Sequence, residues 1–261
     1  MSKNYWQDRE AAALAKVTER SVKDTEKLLA KSYANSANKV VNEFVDTYEK
    51  LLNTLEDGKA PTPADLYKLE KYWQMNAKLN YELRVLGEKQ ERALSKQFLK
   101  EFQEIYESIS LEGMETYSTI DREGMIKAIN SIWCADGKTW SSRIWSNISL
   151  LSETLQDELI HCVTTGKKTS DLKQLLQDRF DVSFQQADML VRTEMAHIQT
   201  TAAKQKYTDY GITEVQVWAD KDERRCEVCG KLHQKKYPIH GAMPIPAHPN
   251  CRCTIIPVVE L

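Results

Sequence analysis

Four of the six cysteines of this chain fall between residues 226 and 253, with His248 among them. They stand as Cys226-Glu227-Val228-Cys229 and, after residues 230–247, as His248-Pro249-Asn250-Cys251-Arg252-Cys253. Two soft donors separated by two residues can be aimed at one point by a single tight turn. Two such pairs make the donor set of a closed, tetrahedral structural zinc site. Five side chains compete for four positions. Cys226 and Cys229 act as a unit, and His248 with Cys251 is the natural second pair. The preferred set is therefore Cys226, Cys229, His248 and Cys251. Cys253 remains an alternative to either member of the second pair, because Cys251 and Cys253 share one face if the segment is extended. A disulfide and unliganded thiols are the other fates open to these residues.

The elements that must carry this cluster are mostly helical. Residues 5–56 read as one or two long amphipathic helices, with Val41, Phe44, Val45, Tyr48, Leu51, Leu52 and Leu55 at three-and-four spacing. Asp57-Gly58 and two prolines end that run. Thr62 before Pro63 then opens a second helix that is expected to close at Gly87, with a third over about 88–110. Residues 111–140 are broken by Gly113, Gly124 and Gly137. Helices resume over about 141–165, 169–180 and 183–210, with Thr169 or Ser170 as an N-cap and Gly211 as the final C-cap. Strand alternation appears only at Glu214–Trp218 and over 254–259, where Pro257 demands an edge position. The expected fold is mostly α, a long helical N-terminal region followed by a small α/β C-terminal zinc-binding module. The expected division is 1–110 for long helices, 111–165 for a helical middle and 166–261 for the zinc-bearing domain.

Composition narrows the function classes. The chain has 261 residues, 28% of them charged, and a formal net charge of −2, so no global electrostatic case for nucleic acid exists. A local basic cluster does occur: Lys221, Arg224, Arg225, Lys231, Lys235 and Lys236 lie just before the first ligand pair and in the loop that follows it. These are candidate contacts to DNA or to an acidic partner, although a solvated loop surface is the simpler reading. No apolar run approaches the roughly 20 residues that span a bilayer, and Met1–Trp6 does not open a signal peptide. A protein assembled in a cytosol keeps its thiols reduced, which favours metal over disulfide. Cys134 and Cys162 stand apart and read as small buried hydrophobes.

Catalytic signatures are weak. Glu158-x-x-His161 and Glu194-x-x-His197 are half of a di-iron carboxylate set, with Glu43 and Glu82 available as the other half, but surface pairs are the simpler reading. Gly166-Lys167-Lys168-Thr169 lacks the first glycine of a phosphate loop. A His-Asn-His nuclease would need a helix after Cys253, and too few residues follow it. The chain is expected not to be an enzyme. The alternative is a zinc-dependent nucleic-acid-binding protein or nuclease.

The same residues carry a family resemblance. Arg192-Thr193-Glu194 on a helix is followed by Tyr210-Gly211 and by a strand ending at Trp218. Then come Cys226-x-x-Cys229-x-x-Leu232 and the closing Pro246-x-His248-Pro249-Asn250-Cys251-Arg252-Cys253. Over about residues 170–261 this resembles the C-terminal domain of the phage head-morphogenesis proteins, the Mu F-like minor capsid family. His233-Gln234-Lys235-Lys236 departs from the Gly or Asp that this family often has there. The resemblance implies a minor head protein of a tailed bacteriophage, acting in prohead assembly near the portal and in DNA packaging or ejection. It also implies portal and major capsid proteins as partners, phage DNA as a further one, and no membrane segment. The expected location is the virion, in the capsid interior, after assembly in the host cytoplasm. Arg192 and Glu194 carry over as an ion pair anchoring the zinc module. Residues 1–165 carry no motif of the family.

Overall fold

The computed structural model of the protein describes residues 5–56, 59–111, 122–219 and 225–259. Helix α1 runs unbroken over Tyr5–Asn53 and is followed by the short α2 (Pro63–Lys68) and by α3 (Glu70–Ser108). Helices α4 (Arg122–Ile129), α5 (Trp140–Thr165) and α6 (Thr169–Asp209) lead into strand β1 (Glu214–Trp218). Helix α7 (Glu227–Leu232), β2 (Lys236–Pro238) and β3 (Thr254–Pro257) complete the chain. The protein is thus mostly α, with long N-terminal helices and a small C-terminal sheet and helix. Asp57, Gly58 and Gly113 lie outside the described residues. No helix among the described residues is long and apolar enough to cross a membrane.

Two expected helix ends are absent. Gly87 does not close a helix; α3 passes through it. Its role is spatial, since a Cβ there would lie 2.7 Å from Trp145 Cζ3 and 2.9 Å from Cη2. Glycine is kept in mid-helix so that an indole ring can lie against the backbone. The expected break near residue 181 is also missing. Phe180, Ser183, Ala187 and Val191 are all buried at helical spacing and carry one continuous stripe along α6. Gly87→Ala is therefore expected to destabilise the fold by about 1–3 kcal/mol through overpacking. The same change in an unobstructed helix would gain up to about 1 kcal/mol. Denaturant unfolding of the two proteins reads the sign directly.

The caps follow local rules. Thr62 caps α2 in a reciprocal box: its side chain accepts from the Asp65 amide, and the Asp65 carboxylate accepts from the Thr62 amide. At the start of α6 the cap is formed one residue earlier than expected, where the Lys168 amide donates to Asp171 Oδ2 at 3.3 Å. Gly211 ends α6 with φ +75°, and the Ile212 amide donates to the Tyr207 carbonyl at 3.0 Å.

The chain divides into two compact units, and each takes one part of α1, α3 and α6. One unit comprises the described residues of 27–92 and 141–188. Its core is built on Phe44, Tyr48, Met75, Leu79, Leu155 and Leu159. The Tyr48 hydroxyl donates to the Lys167 carbonyl at 2.7 Å. Glu43 accepts from Lys71 and from Lys78, and Glu82 pairs with Lys39. The apolar stripes of these helices are largely buried within the chain itself.

The other unit comprises the described residues of 1–26, 93–140 and 189–261, and it carries the Cys/His cluster. Its sheet has the order β2-β1-β3, all antiparallel, with Val215 and Val217 fully buried. Strand β3 is an edge strand, which is where Pro257 is tolerated. Three side chains of α1 tie this unit together. Asp8 accepts from Trp218 Nε1 at 3.1 Å, Glu10 lies 3.5 Å from the Tyr207 hydroxyl, and Thr18 donates to Glu101 Oε1 at 2.5 Å.

Glu101 is fully buried, and loss of solvation pushes its carboxyl above the ordinary 4.5; Ser21, Thr18 and, more remotely, Arg20 offset this only in part, and the charge of Glu104 adds to it. Because the folded value is raised, the stability tied to the neutral acid is present below the unfolded value. It is lost as pH rises through the folded value. Glu101→Gln keeps the acceptor for Thr18 and removes the charge. Unfolding curves from pH 4.5 to 8 are expected to diverge in favour of Glu101→Gln as pH rises, by on the order of 1 kcal/mol at neutral pH.

Candidate metal centre

The first ligand pair sits at the start of α7. Cys226 is the N-cap, in an extended conformation, and its sulfur accepts from the Cys229 amide at 3.3 Å. One helical turn therefore points both sulfurs the same way. The second group sits on a turn before β3, closed by the Cys251 amide donating to the His248 carbonyl at 3.2 Å. Asn250 holds the left-handed conformation this turn needs, with φ +59°.

The turns converge. His248 Nε2 lies 3.2 Å from Cys226 Sγ and 3.1 Å from Cys229 Sγ. Cys229 Sγ lies 3.8 Å from Cys251 Sγ. Among the described residues, the donors form two groups, Cys226-Cys229-His248 and Cys229-Cys251-Cys253, each with all donor atoms within 4.8 Å of one another. Cys229 belongs to both. The five residues read from the spacing are thus brought together, with Cys251 and Cys253 both within reach of the shared sulfur.

The electrostatics reflect crowding. The Cys251 thiol is pulled down to about 5, first by the hydrogen bond from Cys253 and then by backbone amides, against the effect of burial. Cys229 is pushed up to about 12 by burial, and Cys253 is raised by its donation to Cys251 and by burial. The bond from the Cys229 amide holds Cys226 low. His248 Nδ1 lies 2.8 Å from the Pro249 carbonyl. A carbonyl only accepts, so Nδ1 carries the proton, and Nε2 turns its remaining position toward the sulfurs. In a tetrahedral site with metal–sulfur bonds of about 2.3 Å, two sulfurs stand about 3.8 Å apart. The Cys229–Cys251 separation meets that spacing. This Cys/His cluster near the C-terminus could hold a metal ion.

The surrounding structure fixes the two turns in place. After α7 the chain returns through His233, whose ring stacks edge-on with Trp218 and accepts from the Ala219 amide at 3.2 Å. After Cys253 it enters β3 and pairs with β1. The second turn is also pinned from α6, because the Asn250 amide donates to Thr193 Oγ1 at 3.1 Å. Thr193 is the middle residue of the Arg-Thr-Glu motif and is the tie that sequence reasoning missed. Its neighbours have other duties. Arg192 pairs with Glu26 at 3.0 Å, and buried Glu194 accepts from Trp133 Nε1 at 3.0 Å. Trp133 also stacks flat on His197, with ring centres 4.5 Å apart, and burial lowers His197 to about 4.

The remaining candidates are placed as follows. Lys221 and Arg224 lie outside the described residues. Arg225 is exposed beside the cluster, Lys231 pairs with Glu227 at 2.6 Å, Lys236 pairs with Glu214 at 3.2 Å, and Lys235 is exposed. Of the carboxylates weighed for a di-iron site, Glu158 is buried and held by Arg179, while Glu43 and Glu82 are held by lysines. Cys162 is fully buried, and Cys134 is half-buried.

No curated protein and no solved structure matches the chain significantly. The family comparison does find a match, and it begins upstream of the residue 170 expected from the motifs. Residues 153–256, from within α5 to the end of the ligand-bearing turn and into β3, match the model of the family described as phage Mu protein F like protein, which bears out the resemblance over the C-terminal domain.

Proposed function

We propose that this chain is a minor head protein of a tailed bacteriophage, acting in prohead assembly near the portal, with one structural zinc ion closing its C-terminal domain. The observation that carries the reading is the convergence of Cys226, Cys229, His248, Cys251 and Cys253 inside the stretch that matches the family model. Soft sulfur donors with one imidazole suit zinc. Four protein ligands leave no open position for a substrate, so the role is to join α7 to the turn before β3 rather than to catalyse. Bound there, zinc would supply cross-linking energy to a segment with few apolar residues of its own. The best test of the assembly role is mass spectrometry of purified virions beside empty proheads. The protein is expected in both particle types; absence from both sinks the reading.

The preferred ligand set is Cys226, Cys229, His248 and Cys251. Elemental analysis of protein purified without added metal should find one zinc per chain. Cys251→Ser should empty the site, and Cys253→Ser should leave it filled. The reverse pattern assigns the fourth position to Cys253. The nucleic-acid reading has less support, because a formal net charge of −2 gives the chain no overall attraction for phosphate.

A further inference from the structure

A cleft of about 710 Å³ opens beside the Cys/His cluster, within the unit that carries it. Its walls come from three separate stretches of chain: α1 near residues 15–23, α6 near 192–199, and the turn 248–252. Its size falls in the range of ligand-binding clefts, about 300–1,000 Å³. The described residues that line it divide by chemistry. Ala15, Val22 and Ala196 contribute small apolar groups to the lining. Lys23, Arg192 and Arg252 supply three cations against one acid, Glu19. Gln199, which is buried, and Asn250, which is exposed, bring amide groups to the same space.

We infer that this cleft binds an acidic peptide segment of a partner protein. Guanidinium groups grip carboxylates through paired, parallel hydrogen bonds, and Arg192 and Arg252 enter the cleft from different elements. The Arg192–Glu26 pair is no obstacle. Both side chains are more than a third exposed, and exposed pairs of this kind add little, so a carboxylate of the partner can exchange with Glu26. Small lining residues let an extended backbone approach closely, and the two amides can pair with its N–H and C=O groups. A phosphodiester strand fits less well. It is followed by a continuous basic track, whereas here the cations share the lining with Ala15, Val22, Ala196 and the acid Glu19. The inference rests on the cleft itself and does not depend on the head-protein reading.

Fluorescence anisotropy of the full chain with labelled probes tests it. The probes are a synthetic peptide alternating Asp and Ala, its Lys-Ala counterpart, and a single-stranded oligonucleotide. The Asp-Ala peptide is expected to bind, with affinity falling as salt is raised, and the Lys-Ala peptide is expected not to bind. The double variant Lys23→Glu/Arg192→Glu should weaken Asp-Ala binding by at least about tenfold. Its metal content and melting temperature serve as folding controls. Should the double variant fold poorly, Lys23→Glu alone, at an exposed site on α1, should lower affinity in the same direction. Failure of the wild-type chain to bind the Asp-Ala peptide overturns the inference. So does binding that both charge reversals leave unchanged. Preferential capture of the oligonucleotide, lost on reversal, also overturns it and assigns the cleft to nucleic acid.

Discussion

Cys229→Ser is expected to release the metal and unfold the chain from about residue 212 onward while leaving most of the helices intact. Cys229 is the sulfur common to both donor groups, so its loss breaks both of them. A structural zinc site contributes on the order of 10 kcal/mol to the module that folds around it, more than the whole stability of many domains. The rest of the sheet offers little compensation, since β2 and β3 are short and the chain between them is largely irregular. Hydrogen exchange should show loss of protection in β1, α7 and β3, and elemental analysis should show loss of zinc. A Cys229→Ser protein that retains both would remove the metal from the account of this fold. Cys134→Ser is the control and should change neither.

Phe98→Ala should be the costliest substitution among the helices of the same unit, at about 3–5 kcal/mol. Phe98 is fully buried in α3, and Trp140 packs edge-on against it with ring centres 5.3 Å apart. Removing the ring loses both the transfer of its apolar surface and the aromatic contact, and α3 cannot collapse into the space while its neighbours hold it. Urea unfolding followed by circular dichroism reads the loss as a lower midpoint. Trp73→Ala provides the contrast: that side chain is 60% exposed, and its removal should cost no more than about 0.5 kcal/mol. Equal losses at the two positions would contradict the core described for this unit.

What could be read from the sequence was whatever depends on neighbours in sequence. Cys226 and Cys229 lie one helical turn apart, so their spacing alone implies a shared target. The Thr62 cap, the Gly211 terminus and the edge position of Pro257 follow from backbone geometry within a few residues. Gly87 misled because a glycine in a helical pattern normally weakens or ends the helix, and its actual reason, Trp145, is an α5 residue packed against it. Thr193 was hidden for a similar cause. Nothing local distinguishes a threonine that caps a distant turn from one that faces water. Arg192 and Glu194 were expected to anchor the zinc module as an ion pair, and the motif gave no sign of the contacts of Arg192 with Glu26 and of Glu194 with the Trp133 indole, because both partners lie far away in sequence. The choice between Cys251 and Cys253 stays open to sequence and geometry alike, because residues two apart on an extended segment present similar sulfurs to one point.

The bond between Asp8 and Trp218 joins residues 210 positions apart, and the contact of Glu10 with Tyr207 spans 197. Ribosomes add roughly 5–20 residues each second, so the first helix waits some ten to forty seconds for these partners to be made. Through that interval Leu14 and Val22 lack the α6 and sheet surface of the unit in which they are finally buried. A helical chain of this kind combines fast local formation of each helix with slow, long-range closure. The completion of this unit is therefore timed by synthesis of its last strand, and the nascent protein carries an exposed apolar stripe on which chaperones, or premature partners, have time to act.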